Sequence, residues 1–86
     1  MLKGTTKSGF RYEINENIGD DYELLKLITK VEQDGTLIFD LTEKLLGVKQ
    51  AANLEKFLKK RDSYVSTKKV IEEVIEIFNS QAMLKN

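Results

Sequence analysis

The fold is decided by Val65–Phe78, which reads Val-Ser-Thr-Lys-Lys-Val-Ile-Glu-Glu-Val-Ile-Glu-Ile-Phe. At about 3.6 residues per turn, the apolar side chains of this stretch fall within an arc of roughly 160°, and its lysines and glutamates fill the opposite side. Ser66 can cap the helix by accepting a hydrogen bond from a backbone N–H of the first turn. The pattern predicts an amphipathic helix over residues 66–79. Because so wide an apolar arc is best covered by several neighbours, we expect this helix to be a central element of the core.

Composition limits the classes of protein to which the chain can belong. Its 86 residues predict one domain, 1–86, which buries only about 60% of the surface that it exposes when unfolded. Basic and acidic residues number 14 each, so no net charge favours nucleic acid or an anionic membrane as partner. Histidine and cysteine are absent, which removes the commonest catalytic bases and nucleophiles. We therefore expect no enzyme, no catalytic or metal site, no cofactor and no membrane span.

The N-terminal region predicts a β-hairpin over residues 2–14. Phe10, Tyr12 and Ile14 alternate with charged residues, which gives the second strand one apolar and one charged face. Gly9 follows Lys-Ser and can take the positive φ that a tight turn requires. Since an isolated hairpin is marginally stable in water, we expect its apolar face to lie on the helices.

Apolar residues recur at helical spacing through the rest of the chain. Asp20 is the expected N-cap of the first helix, and Gly47 is the expected C-cap of the second. Together with the helix described above, the pattern predicts about four short helices, at 20–33, 36–46, 48–61 and 66–79. The periodicity fails after Phe78, so residues 80–86 are expected to be a frayed tail. The predicted fold is mostly α, a small helical bundle with an N-terminal β-hairpin, and α+β by strict count.

Three carboxylates in the last helix are candidate ligands of a hard cation. Glu72 and Glu76 stand one turn apart, with Glu73 between them. Their position opposite the apolar stripe favours a solvated charged face instead. Lysines one turn earlier, Lys68 and Lys69, would pair with Glu72 and Glu73.

Residues 43–58 have the helix–glycine–helix outline of a DNA-reading helix-turn-helix motif. In that interpretation Gln50 would contact a base. Asn53 stands where the motif usually buries Val or Ile, and Glu55 would lie on the recognition face. Together with the neutral overall charge, these departures count against nucleic acid as a partner and make DNA reading the second interpretation.

Several apolar residues do not all fit the stripes of their own helices. On a domain too small to bury everything, such a set indicates a surface for another helix or for a second copy of the chain. The candidate protein-binding residues are Phe39, Leu46, Tyr64, Met83 and Leu84.

Short segments along most of the chain resemble small tail assembly chaperones of long-tailed phages and prophages of Gram-positive bacteria. Thr5–Asn15 is similar to the "TTKSGFEYEI" hairpin with which those proteins often begin, and Asp20–Leu25 to the "DDWELLE" segment that follows. Leu45–Gly47 with Leu54–Leu58 resembles their "LLG…L..hL" pair. Tyr64–Ser66 stands where they carry "GRVPV", with tyrosine and serine in place of the glycine and the proline.

The resemblance implies a non-enzymatic role in tail assembly. Such chaperones bind the long, helical tape measure protein, give way to tail tube subunits, and are absent from the mature virion. It therefore implies the tape measure protein and the tail tube protein as partners, in the cytoplasm of the bacterial host. A DNA-binding regulator using residues 43–58 and a self-associating structural protein of the virion remain as alternatives, and a homo-oligomer stays open.

Overall fold

The computed structural model describes residues 1–82, which form a two-stranded antiparallel hairpin followed by three α-helices. Two single-turn 3₁₀ helices, Ile18–Asp20 and Gly35–Leu37, join the hairpin to the first helix and the first helix to the second. The main elements are β1 (Leu2–Thr5), β2 (Arg11–Ile14), α1 (Tyr22–Lys30), α2 (Ile38–Asp62) and α3 (Thr67–Ala82). The mostly helical fold with an N-terminal hairpin is thus confirmed.

The hairpin packs its apolar face on the helices, as its alternating pattern predicts. β1 pairs with β2 from Leu2 opposite Ile14 to Thr5 opposite Arg11. Gly9 has a φ of 102° in the connecting turn, a conformation that costs glycine little. The face made by Phe10, Tyr12 and Ile14 is buried, and the Phe10 ring contacts that of Phe57 at 5.6 Å between centroids.

α3 is a central element of the core, as predicted. The Ser66 hydroxyl accepts a hydrogen bond from the Lys69 N–H at 3.3 Å, which is the expected N-cap. Val74, Ile77 and Phe78 are buried in one hydrophobic cluster with residues from the hairpin, α1 and α2. Several elements therefore cover the wide apolar arc of this helix.

The predicted frayed tail at 80–86 is wrong for its first three residues, since α3 continues to Ala82. The extension has a tertiary cause. Gln81 Nε2 donates to Tyr12 Oη at 2.9 Å, and Ser80 Oγ lies 3.4 Å from the same phenol oxygen. These contacts with the hairpin fix residues that have no apolar stripe. The remainder of the predicted tail, 83–86, lies outside the described residues.

α1 is shorter than the predicted helix over 20–33, and its N-cap is Asp21, not Asp20. Asp21 Oδ1 accepts from the Leu24 N–H at 3.1 Å. Asp20 is instead the last residue of a 3₁₀ helix, which buries Ile18. At the other end, the Lys30 carbonyl accepts from the N–H groups of residues 33 and 34, so the chain leaves the helix in a tight turn.

The two helices predicted on either side of Gly47 form one element, α2, so the described chain has one helix fewer than expected. Gly47 has φ 83° and ψ 159°, which bends α2 into two halves. The bend deprives nearby carbonyls of regular helical partners, and Gln50 Nε2 donates to the Leu46 carbonyl at 2.7 Å. Gly47 interrupts the helical conformation, as expected, but α2 bends at this residue and continues instead of ending there. Within residues 1–82, no helix combines the length and apolar character needed to cross a membrane.

Candidate protein-binding groove

A surface groove of about 280 Å³ lies between the two halves of α2 and the start of α3. Ile38 and Leu54, from opposite sides of the Gly47 bend, are buried side chains that line it. Val65 and Val70 contribute the third wall. The bend at a positive-φ glycine therefore turns two helical stripes into a concave apolar surface.

The polar group at the base of the groove is satisfied within its own helix. Thr42 is buried, and its hydroxyl donates to the Ile38 carbonyl at 2.6 Å. Because that hydroxyl is already bonded, Thr42 does not add an unpaired buried donor to the groove. An apolar side chain that enters the groove would therefore not leave the Thr42 hydroxyl without a hydrogen-bond partner.

Phe39 and Tyr64 are exposed, as the candidate surface requires, but they have different places in it. Phe39 lines the groove with 70% of its surface exposed. Tyr64 is 65% exposed and does not line the groove, whereas the next residue, Val65, does. Phe39 and Val65 thus line the same groove. Tyr64 does not line it, although it precedes Val65 in the sequence.

Leu46 was expected at the surface, and that expectation is wrong. Its side chain is 5% exposed and belongs to the hydrophobic cluster. Leu46 departs from the stripe of the first half of α2, but it is packed in the cluster that the hairpin and the three helices share. Met83 and Leu84, the other two candidates, lie outside the described residues.

The charged residues of the groove were not singled out as binding residues in the sequence. Glu43 lies on the first half of α2 and Glu55 on the second, and both are exposed. The residues around each glutamate do not indicate that the two share a cavity, because only the bend at Gly47 brings the two halves of the helix around one groove. That bend was the available signal, since a left-handed glycine between two apolar stripes predicts a change of helix direction.

Glu73 corrects the prediction of a solvated carboxylate face on α3. Its side chain is 5% exposed and accepts hydrogen bonds from Thr6 Oγ1 at 2.8 Å and from Ser8 Oγ at 3.1 Å. Glu76 accepts from the Lys7 N–H at 2.8 Å. These two carboxylates hold the hairpin turn on α3, a structural role.

The predicted lysine–glutamate pairs of α3 are also replaced. The ion pair is Lys69–Glu72, with Nζ 3.9 Å from Oε1, rather than the two pairs at i,i+4. Glu73 is engaged by the hairpin hydroxyls instead. Within residues 1–82, no group of three or more acidic side chains is arranged to hold a metal ion.

Gln50, the residue weighed as a base contact, is bonded on both ends of its amide. Its Oε1 accepts from the Glu13 N–H at 2.7 Å, and its Nε2 donates to the Glu13 carbonyl at 2.6 Å and to the Leu46 carbonyl. The side chain thus makes the pair of bonds that a neighbouring strand would make with β2. It locks the second half of α2 to the hairpin.

The groove combines apolar contact area with two carboxylates, a set of groups suited to holding part of another molecule. Its aromatic residue, Phe39, stands at the surface, and its floor is buried. Aromatic side chains at the mouth of an apolar pocket are typical anchors of protein interfaces.

The chain matches no protein-family model, no curated protein and no solved structure.

Proposed function

We propose that the protein is a tail assembly chaperone of a long-tailed phage or prophage. In this role it binds the tape measure protein in the host cytoplasm, helps recruit tail tube subunits, and leaves before the virion is complete. The observation that carries the proposal is the exposed Phe39 at the edge of an apolar groove. It is joined by the resemblance of the hairpin and helix segments to that family.

The groove has the properties that reversible binding of a helix requires. Helix-in-groove recognition uses a few apolar anchors set into a hydrophobic cleft. A cleft of about 280 Å³ accommodates few anchors, so each copy would bind with modest affinity. Several copies along one long partner would then cover it while each remained free to leave.

DNA reading has less support than helix binding. A base contact by Gln50 would require breaking its bonds to Glu13 and Leu46. Asn53, at the position where a helix-turn-helix motif buries an apolar residue, is exposed.

The alternative of a virion structural protein is distinguished from the chaperone by one observation, since a chaperone would be absent from purified virions.

The direct test is co-expression of the chain with overlapping fragments of the tape measure protein from the same genome. We expect at least one fragment that is insoluble alone to become soluble and to co-purify with the chain. Phe39→Asp should abolish the rescue, because a carboxylate at the groove edge would have to be desolvated against the partner. Tyr64→Asp tests whether the surface extends beyond the groove.

Tyr22→Asp is the matched control. Tyr22 is 77% exposed on α1 and does not line the groove, so its replacement introduces the same charge elsewhere. Both variants should leave the free energy of unfolding within about 0.5 kcal/mol of the original, as exposed substitutions usually do. Rescue by no fragment, or equal loss of rescue in both variants, would contradict the proposal.

A further inference from the structure

The ionisable residues that line the groove are all acidic. They are Glu43 and Glu55, and both are exposed to solvent. Neither makes an ion pair with a cation of the described residues. Lys44, next to Glu43, does not line the groove and reaches Asp21 instead, with 3.8 Å between Nζ and Oδ2. The groove therefore presents two carboxylates that form no ion pair with the described part of the chain.

The two carboxylates stand on different walls. Glu43 belongs to the half of α2 before Gly47 and Glu55 to the half after it. The buried apolar side chains of the groove come from the same two halves, Ile38 from the first and Leu54 from the second. A molecule bound between the two halves would therefore meet one carboxylate from each half.

A helix fits this site better than an extended peptide. An extended peptide binds chiefly by adding a strand to an open sheet edge, and neither strand of the hairpin lines the groove. The walls are helical, and helices pack by setting side-chain ridges into such grooves. From this combination we infer that the groove accepts an amphipathic helix whose apolar stripe is flanked on both sides by lysine or arginine.

This inference rests on the proposed function in taking the groove as the docking site, and it adds the chemistry of the partner. Exposed carboxylates at the edge of an interface govern partner choice and association rate more than affinity. Phe39 and the apolar floor would hold the helix, while Glu43 and Glu55 would select a basic helix over an acidic one. The preference should weaken as salt screens the charges.

The test uses two designed helical peptides of about 20 residues, roughly 30 Å long. They share one apolar stripe and differ only in flanking residues, which are lysine in one and glutamate in the other. Fluorescence anisotropy of each labelled peptide, titrated with the full chain, measures its Kd. At about 0.05 M salt we expect the lysine peptide to bind about tenfold more tightly, and the difference to shrink at about 0.5 M.

The double substitution Glu43→Gln/Glu55→Gln removes both charges and keeps the shape of the side chains. It should reduce the preference for the lysine peptide to within about twofold at low salt. The matched control is Glu23→Gln/Glu32→Gln, which removes two exposed carboxylates that do not line the groove. That control should retain the preference. Phe39→Ala should weaken the binding of both peptides.

Three outcomes would overturn the inference. The first is equal binding of the two peptides, or a preference that survives the double substitution, and the second is binding of neither peptide. The third is a dimer of the chain, seen by light scattering, that Phe39→Asp dissociates, since a second copy would then occupy the groove. The result is separable from the proposed function. Charge-selective peptide binding without rescue of any tape measure fragment would leave the inference intact and refute the chaperone role.

Discussion

The two ends of α3 meet their surroundings in opposite ways. Near its middle and C-terminal end, the helix is covered by the hairpin through hydrogen bonds to Glu73, Glu76 and Gln81. At its N-terminal end, Val70 borders a groove that no described residue fills. One amphipathic helix thus has a face that the chain closes with its own hairpin and a face that it leaves open.

The difference shows how a small domain can combine order with a vacant surface. The closed region is polar and specific, because both carboxylate oxygens of Glu73 and one of Glu76 accept from a hydroxyl or an amide of the hairpin. The floor of the open region is apolar, and an apolar cleft accepts side chains by shape and size, while the carboxylates are exposed to solvent. Substitutions in the closed region should therefore change stability, and those in the groove should change binding.

The largest effect is expected from the core beneath both regions. Ile77→Ala removes a fully buried side chain from α3 and should lower the free energy of unfolding by about 2–5 kcal/mol. Urea unfolding followed by circular dichroism measures this change. Val48→Ala, at an exposed position of α2, is the control and should stay within about 0.5 kcal/mol. Equal effects of the two substitutions would contradict the central place of α3 in the core.

The closed region can be broken at its buried carboxylate. Glu73→Ala removes the acceptor of the Thr6 and Ser8 hydroxyls and should cost about 1–3 kcal/mol of stability. The control is Glu72→Ala, one residue away, where the side chain is exposed and its ion pair with Lys69 contributes about 0–1 kcal/mol. A solvated Glu73 would instead make both substitutions nearly neutral in the same urea titration.

The bond between the hairpin and α2 offers a smaller and more local test. Gln50→Ala removes the side chain that bonds the backbone of Glu13, and should cost about 1 kcal/mol. Hydrogen exchange should become faster at the Glu13 amide, because that N–H loses its acceptor. Asn53→Ala, at an exposed position of the same helix, should leave the exchange rate unchanged. Unaltered exchange in the Gln50 variant would refute this contact.

The smallest effect is a pH dependence at the turn that precedes α2. The Thr36 hydroxyl, and then the Thr36 amide, hold the pKa of the Asp34 carboxyl below its ordinary value. Because this pKa is lowered on folding, the contribution of Asp34 to stability is present above its ordinary pKa and is lost as pH falls through the folded value. Comparison of Asp34→Asn with the original chain in acid-to-neutral urea titrations should show a smaller loss in the variant. Identical pH profiles would contradict this.

Local patterns predicted the elements whose partners lie within the same turn or strand. The Ser66 cap, the buried face of Phe10, Tyr12 and Ile14, and the positive φ of Gly9 all follow from short-range chemistry. Gly47 was predicted as the C-cap between two helices, and it does break the helical conformation there, although the two segments join directly in one bent element. Of the candidate site, Phe39 was found as an exposed aromatic and Leu46 was misplaced.

Several of the predictions that failed concern residues that a distant segment contacts. Glu73 is on the polar flank of its own helix, but the turn of the hairpin, more than sixty residues earlier, covers it. Residues 80–82 lack an apolar stripe, but contacts with Tyr12 hold Ser80 and Gln81 in the helix. Helical periodicity assigns a side chain to a face, and it carries no information about which element will cover that face.

By itself, therefore, the sequence determined the hairpin, the helical stripes and the left-handed glycines, because these depend on interactions between residues a few positions apart. Only the tertiary structure decided that Glu73 is buried, that Gln50 is bonded to β2, and that Phe39, Glu43 and Glu55 surround one groove. Glu73 is buried because the hairpin turn packs on α3, whereas the groove depends on the bend at Gly47. A single pair of backbone dihedrals sets the direction of the second half of α2, and that direction determines which residues of distant segments meet.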